Sequence, residues 1–135
     1  MVDFIWDEKY SVGHTKLDDQ HKIIFKLISN LSNNLSRQMN TEDITRSLSE
    51  MTEYFWVHLR YEEDYISKSN FPGYDNHVKL HLLFKKKVME LNTAAFAIDS
   101  SLREEILIFL KDWWKQHILA EDMKYAKYSK KLNEP

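Results

Sequence analysis

The sequence predicts an all-α fold: an up-down-up-down antiparallel four-helix bundle with an extended N-terminal arm and a short C-terminal helix. Three observations carry that prediction. Two glycines and two prolines occur in 135 residues, at Gly13, Pro72, Gly73 and Pro135, so long stretches run without a strong breaker. Within those stretches apolar residues recur three and four positions apart, the spacing of one helix face. The segments between the stretches are short, which places consecutive helices antiparallel. At this length the chain is expected to be one domain, residues 1–135, able to bury a core without disulfides. It holds no internal repeat, linker or low-complexity tract.

Residues 1–15 carry Phe4, Ile5, Trp6 and Tyr10 without a helical stripe and read as an extended arm lying across the body. The first helix is expected over about 17–38, with Thr15 as its cap and Asp18 and Asp19 in the first turn. Its apolar face runs Leu17, Ile24, Leu27, Ile28, Leu31, Leu35, and His21 falls on that face. Thr41 is placed to cap a second helix over about 42–67, whose row runs Ile44, Leu48, Met51, Phe55. The stretch from Ser69 to Tyr74, with Pro72 and Gly73, ends it. Asp75 can cap a third helix over about 76–97, with the row Leu80, Phe84, Val88, Leu91, Ala95. Ser101-Leu-Arg-Glu104 reads as a capping box, opening a fourth helix over about 102–118 through Leu102, Ile106, Phe109, Leu110 and Trp113. A last amphipathic segment gives a short helix over about 122–132.

Composition narrows the function classes. There is no cysteine, so thiolate metal sites, thiol nucleophiles and disulfides are excluded, in keeping with a cytoplasmic protein. No run approaches the ~20 apolar residues of a membrane span, and Met1-Val-Asp-Phe lacks the features of a signal peptide. A net charge of −2 and a pI near 6.3 give no electrostatic reason to bind nucleic acid. The lysine clusters at Lys85-Lys86-Lys87 and in the tail read as solvated helix faces.

The chemistry lies on the apolar stripes. His58 and Glu62 continue the row of the second helix, and His77 and His81 head that of the third. Members of each pair stand four apart, on one helix face and about 6 Å from each other, close enough to share a metal. His117 follows Trp113 by four on the fourth helix, and acids follow it at Glu121 and Asp122. One histidine on an apolar stripe is ordinarily a hydrogen-bonded core residue. Here five of six histidines fall inward, on four helices, beside a core-facing carboxylate whose burial without a partner is costly. The sixth, His14, lies in the arm and is expected at the surface. Five imidazoles with carboxylates exceed one tetrahedral zinc, and so nitrogen-rich a set does not suit calcium or magnesium. Imidazole plus carboxylate suits iron, and a bundle core can hold two. Neither Glu-x-x-His nor His-Glu-x-x-His occurs in the chain.

The run Ser11-Val-Gly13, Asp18-x-Gln20-His21-Lys22, His58-x-x-x-Glu62-Glu63, His77-x-x-x-His81 and His117-Ile118-x-x-x-Asp122 resembles the hemerythrins, and is most similar to single-domain prokaryotic bacteriohemerythrins. The likeness extends from Trp6 to Tyr125. It implies a non-heme di-iron centre. His77, His81 and His117 would bind one iron and His21 and His58 the other, with Glu62, Asp122 and an oxo or hydroxo group as bridges. The second iron is then left with an open position at which O2 binds reversibly, for storage, delivery or sensing. A monomer that is not an enzyme is expected, with an oxygen-consuming enzyme as a partner. The alternative that the same site allows is a di-iron oxidase or a peroxide- or nitric-oxide-consuming enzyme.

Simple helical spacing selects Glu121, four after His117, whereas the family spacing selects Asp122, five after it, and requires the backbone to leave regular helix there. Glu63 points about 100° from Glu62 and is expected to face solvent or a lysine. Hemerythrins commonly carry Trp-Leu ahead of the last histidine, with the leucine lining the O2 pocket; here the pair is Trp113-Trp114. The indole of Trp114 either lines that pocket or turns outward toward the arm.

Overall fold

The computed structural model describes residues 4–35, 40–95 and 100–132, and every regular element among them is helical. Four long helices, α1 (Thr15–Leu35), α2 (Thr41–Lys68), α3 (Tyr74–Ala95) and α4 (Ser100–Gln116), pack in a closed ring, α1 on α2, α2 on α3, α3 on α4 and α4 back on α1. This is the antiparallel bundle that the breaker-poor, 3.6-periodic sequence predicts. A π-helical turn, His117–Asp122, joins α4 to the short helix α5 (Met123–Leu132) without a break.

Several caps fall on neighbours of the expected residues. His14, expected at the surface, is half-buried and holds the start of α1: Leu17 N–H donates to its Nδ1 at 3.2 Å, and its ring meets that of Tyr65 at 4.7 Å. Thr15, expected as the cap, is the first helical residue. At α2 the cap is Asn40, whose side chain accepts from Asp43 N–H at 2.8 Å, and Thr41 lies inside the helix. α3 starts at Tyr74, so Asp75 sits in the first turn, where its charge favours the helix dipole, rather than at the cap. α4 is under way by Ser100; the side chain of Ser101 lies outside the described residues, as do residues 36–38 and 96–97 at the expected ends of the first and third helices.

The α2–α3 connection is a Schellman ending. Asn70 takes the left-handed conformation, φ 56°, its N–H donates to Ser67 C=O at 3.1 Å, and Phe71 N–H donates to Ile66 C=O at 3.3 Å. Phe71 folds back beside Ile66, and a Cβ on Gly73 would lie 2.7 Å from the Phe71 ring, so glycine makes room for that fold.

The arm contains a single 3-10 turn, Glu8–Tyr10, and runs along α1. Phe4 stacks on Phe25 at 4.0 Å, and the Ser29 hydroxyl donates to Phe4 C=O at 2.9 Å. Asp18 ties down the end of the arm by accepting from the Ser11 hydroxyl and from Val12 N–H.

Two apolar clusters result. The larger fills the bundle with Ile24, Ile28, Met51, Phe55, Leu59, Phe84, Leu110, Trp114 and Ile118. The smaller closes one end with Val12, Leu17, Ile66 and Tyr125. The polar residues buried between them form the site.

Candidate metal centre

His21 lies near the start of α1, His58 and Glu62 in the second half of α2, His77 and His81 at the start of α3, and His117 and Asp122 just past α4. In an antiparallel bundle those four stations coincide in space at one end. The structure brings all seven residues together, each of them buried. Seven polar side chains can share that interior only by satisfying one another or a common partner.

The ligand atoms form two groups that share Glu62. Glu62, His77, His81, His117 and Asp122 each present an atom within 4.8 Å of all the others, and so do His21, His58 and Glu62. In the first group His77 Nε2 stands 2.8 Å from Glu62 Oε1 and 3.2 Å from Asp122 Oδ1, and His117 Nε2 is 3.0 Å from Asp122 Oδ1. His81 Nε2 lies 3.2 Å from Glu62 Oε1 and 3.1 Å from His117 Nε2. In the second group His58 Nε2 and His21 Nε2 face Glu62 Oε2 at 3.5 and 3.7 Å. Asp122 Oδ2 reaches His21 Nε2 at 3.4 Å, so this acid also touches both groups.

The π turn is what delivers Asp122. In a regular α-helix a residue five positions on lies about 140° around the axis; the wider i→i+5 turn returns it to the face of His117. Glu121 is left at the rim, paired with Lys124 Nζ at 3.0 Å. Three further residues hydrogen-bond to these candidate ligands and are not picked out by helical spacing. Gln20 Oε1 accepts from His58 Nδ1–H at 2.7 Å, and Tyr125 donates its hydroxyl proton to Glu62 Oε2 at 2.9 Å. Glu63 does not face solvent or a lysine: its Oε2 accepts from His81 Nδ1–H at 2.8 Å, because the histidine of α3 reaches around to it. With Nδ1 protonated, His58 and His81 present the Nε2 lone pair inward, as a metal-ligating histidine must.

Electrostatics tighten the cluster. Burial pushes the His21 imidazole down, but Asp122 and Glu62 outweigh burial and hold it at about 9. His77, likewise opposed by burial, is raised by Asp122 and Glu62 to about 10. Burial and the charge on His21 push His58 down. Burial alone would raise Glu62, yet the surrounding histidines hold its carboxyl well below the usual range. Burial, with Glu62 and Asp122 nearby, keeps the Tyr125 phenol protonated far above its ordinary value.

Trp114 turns inward. It is fully buried, with its ring 5.7 Å from His58 and 6.4 Å from His21, and the outward alternative is excluded. The inward row of α4 therefore passes through Leu110, Trp114 and Ile118 rather than through Trp113, which is half-buried and stacks on His117 at 4.3 Å and on Phe84 at 3.8 Å.

The donor set fits a pair of metal ions. Both nitrogens of His21, His58 Nε2 and both oxygens of Asp122 are buried without a hydrogen-bond partner among the described residues. Orphans of that kind are costly, and cations placed between the imidazoles and the two carboxylates satisfy them together. The nitrogen and oxygen mixture suits first-row transition metals, iron and zinc among them.

Comparison with known proteins agrees. The profile of the Hemerythrin HHE cation binding domain matches residues 12–128. A hemerythrin subunit of Sipunculus nudus is 34% identical over 122 residues, covering 90% of each sequence. A hemerythrin-like protein of Naegleria gruberi is 32% identical over the same length, and a bacteriohemerythrin of Clostridium acetobutylicum is 27% identical over 126 residues, 90% of this chain and 98% of its own. The crystal structure of a hemerythrin point variant superposes with a TM-score of 0.82 at 22% identity, covering 94% of this chain and 97% of that one, which shows the fold. With the profile spanning most of the chain and the buried cluster inside it, the chain belongs to the hemerythrin family.

Proposed function

We propose that this protein holds two iron ions through His21, His58, Glu62, His77, His81, His117 and Asp122 and binds O2 reversibly on the His21–His58 side. The observation that carries this reading is the inequality of the two donor groups. One gathers five residues, the other three, and Glu62 is common to both. Two ions placed there are served unequally, which leaves the His21–His58 side able to take an added ligand. Iron, when bound, supplies electrons that O2 can take up and return. The chain does the rest. Gln20 and Glu63 orient His58 and His81, and Tyr125 holds Glu62 through its phenol proton. Trp114, fully buried beside His58 and His21 and backed by Phe55 at 5.2 Å, walls that side against water. A dry apolar wall supports binding and release better than it supports chemistry on a larger substrate.

Metal analysis with visible spectroscopy tests the reading. Two irons per chain are expected, with a coloured oxygenated form that vacuum reverses. His77→Ala should lower iron content sharply, since it removes a ligand and leaves a hole. Zinc in place of iron, or rapid irreversible oxidation with turnover of peroxide or nitric oxide, would overturn O2 carriage and, in the second case, make the protein a di-iron enzyme.

A further inference from the structure

Two indole N–H groups are sealed from water and meet no acceptor among the described residues, those of Trp6 and Trp114. Buried indoles normally find a partner for that proton, because a bare donor in a dry interior is costly. At Trp114 the surroundings account for the ring but not for its proton. Phe55, Phe84 and Trp113 pack against it at 5.2, 5.4 and 5.0 Å and offer no oxygen or nitrogen acceptor. Its other ring neighbours are His58 and His21, the two imidazoles of the donor-poor group. His58 Nδ1 is already engaged by Gln20. No described residue provides an acceptor for this N–H, and among the ring's side-chain neighbours His21 and His58 are those beside which a small ligand could be held.

We propose that the Trp114 N–H donates a hydrogen bond to a small, negatively charged ligand held on the His21–His58 side of the centre, and that it thereby sets which ligands the site keeps. The inference rests on the proposed metal centre, which gives such a ligand its anchor. A ligand carrying negative charge accepts this bond strongly and a neutral diatomic ligand weakly, so the indole selects for charge on the ligand. An aliphatic wall of equal bulk could exclude water equally well but could not make that distinction. Trp6 provides an internal control. Its N–H is equally bare, but its ring flanks His21 alone, at 6.5 Å, between Tyr10 and Phe25 and beneath Lys22 Nζ.

The test uses the oxidised, iron-loaded full chain titrated with sodium azide and followed by visible absorption, together with ultraviolet resonance Raman spectra of the indole N–H band. Trp114→Phe should bind azide about ten- to a hundred-fold more weakly than the parent, the loss of one charge-assisted hydrogen bond, while Trp6→Phe matches the parent. Azide should shift the indole band in the parent and in Trp6→Phe, and not in Trp114→Phe. Equal affinity in parent and Trp114→Phe, or weakening in Trp6→Phe alone, overturns the proposal. Should Trp114→Phe fail to fold, the parent's Raman spectrum decides, and an unmoved indole band on saturation with azide overturns it. A parent that takes up no metal removes the centre and this proposal with it. A parent that takes up iron and azide without the Trp114 effects loses only the indole's role.

Discussion

Asp122 and Glu121 are adjacent acids with opposite surroundings. Asp122 is fully buried and faces His117, His77 and His21, while Glu121 is half-buried at the rim and pairs with an exposed lysine. Asp122→Ala should strip metal and leave imidazoles facing one another in the core, whereas Glu121→Ala should shift stability by no more than about 1 kcal/mol, the range of a surface pair. Metal content and urea midpoints of both variants check this; metal loss on Glu121→Ala with Asp122→Ala intact would reverse the roles. Residue spacing alone leaves the choice open, since regular helix favours Glu121, and it is the family likeness that selects Asp122. Histidine and glutamate on apolar stripes are conspicuous in a sequence because they violate the stripe. Gln20, Glu63 and Tyr125 are not, because a polar residue beside a ligand looks like any solvated position until the neighbouring helix is in place. Glu63 shows why: its direction on α2 can be read from the sequence, but the reach of His81 from α3 cannot.

At the scale of elements, the helices are legible because an apolar stripe repeated over several turns averages out local exceptions. Their ends are less so, because a cap depends on the backbone conformation of one residue, and Asn40 competes with Thr41 for that role through chemistry of the same kind. The turn after α2 yields a specific expectation. Asn70 at φ 56° is one of the few residue types that tolerates the left-handed region, so Asn70→Val should cost roughly 1–2 kcal/mol while Asn70→Gly costs little or stabilises. Chemical denaturation of the two variants measures the difference, and equal stability would mean that the strain is relieved by the chain shifting. The π turn leaves no mark in composition; one extra residue between His117 and its acid is its only trace in the sequence.

For the molecule as a whole, pH acts on metal loading and on the metal-free fold in opposite senses. Without metal, His21 and His77 hold protons up to about 9 and about 10, so loading near neutral pH must expel them. Affinity should therefore rise with pH through that range, with proton release visible in a weakly buffered titration. The metal-free fold behaves differently. His21 and His77, raised above the unfolded value of 6.5, contribute stability that is complete below that value and is lost as pH rises through about 9 and 10, and His81, also raised, acts in the same sense. Lowered Glu62 contributes above its unfolded 4.5 and loses that contribution in acid. His58, pushed down, works against the trend but is one group against three. Stripped protein should thus be more stable to urea at about pH 6 than at about pH 10. The opposite order would show that the imidazoles are neutral in the metal-free protein.

That each of the four long helices or its end supplies a residue of the proposed metal centre bears on how the molecule opens. A bundle can shed its helices one at a time, each with its own opening free energy. A centre tied to α1, α2, α3 and the end of α4 removes that freedom, because releasing any one of them breaks metal bonds belonging to all. Loaded protein should then exchange its core amides from the four helices at one common, slow rate, and stripped protein at several. α5, which contributes Tyr125 but no ligand, should keep its own faster rate in both. Core amides of one helix exchanging well ahead of the others in the loaded protein would mean that the metal does not couple them.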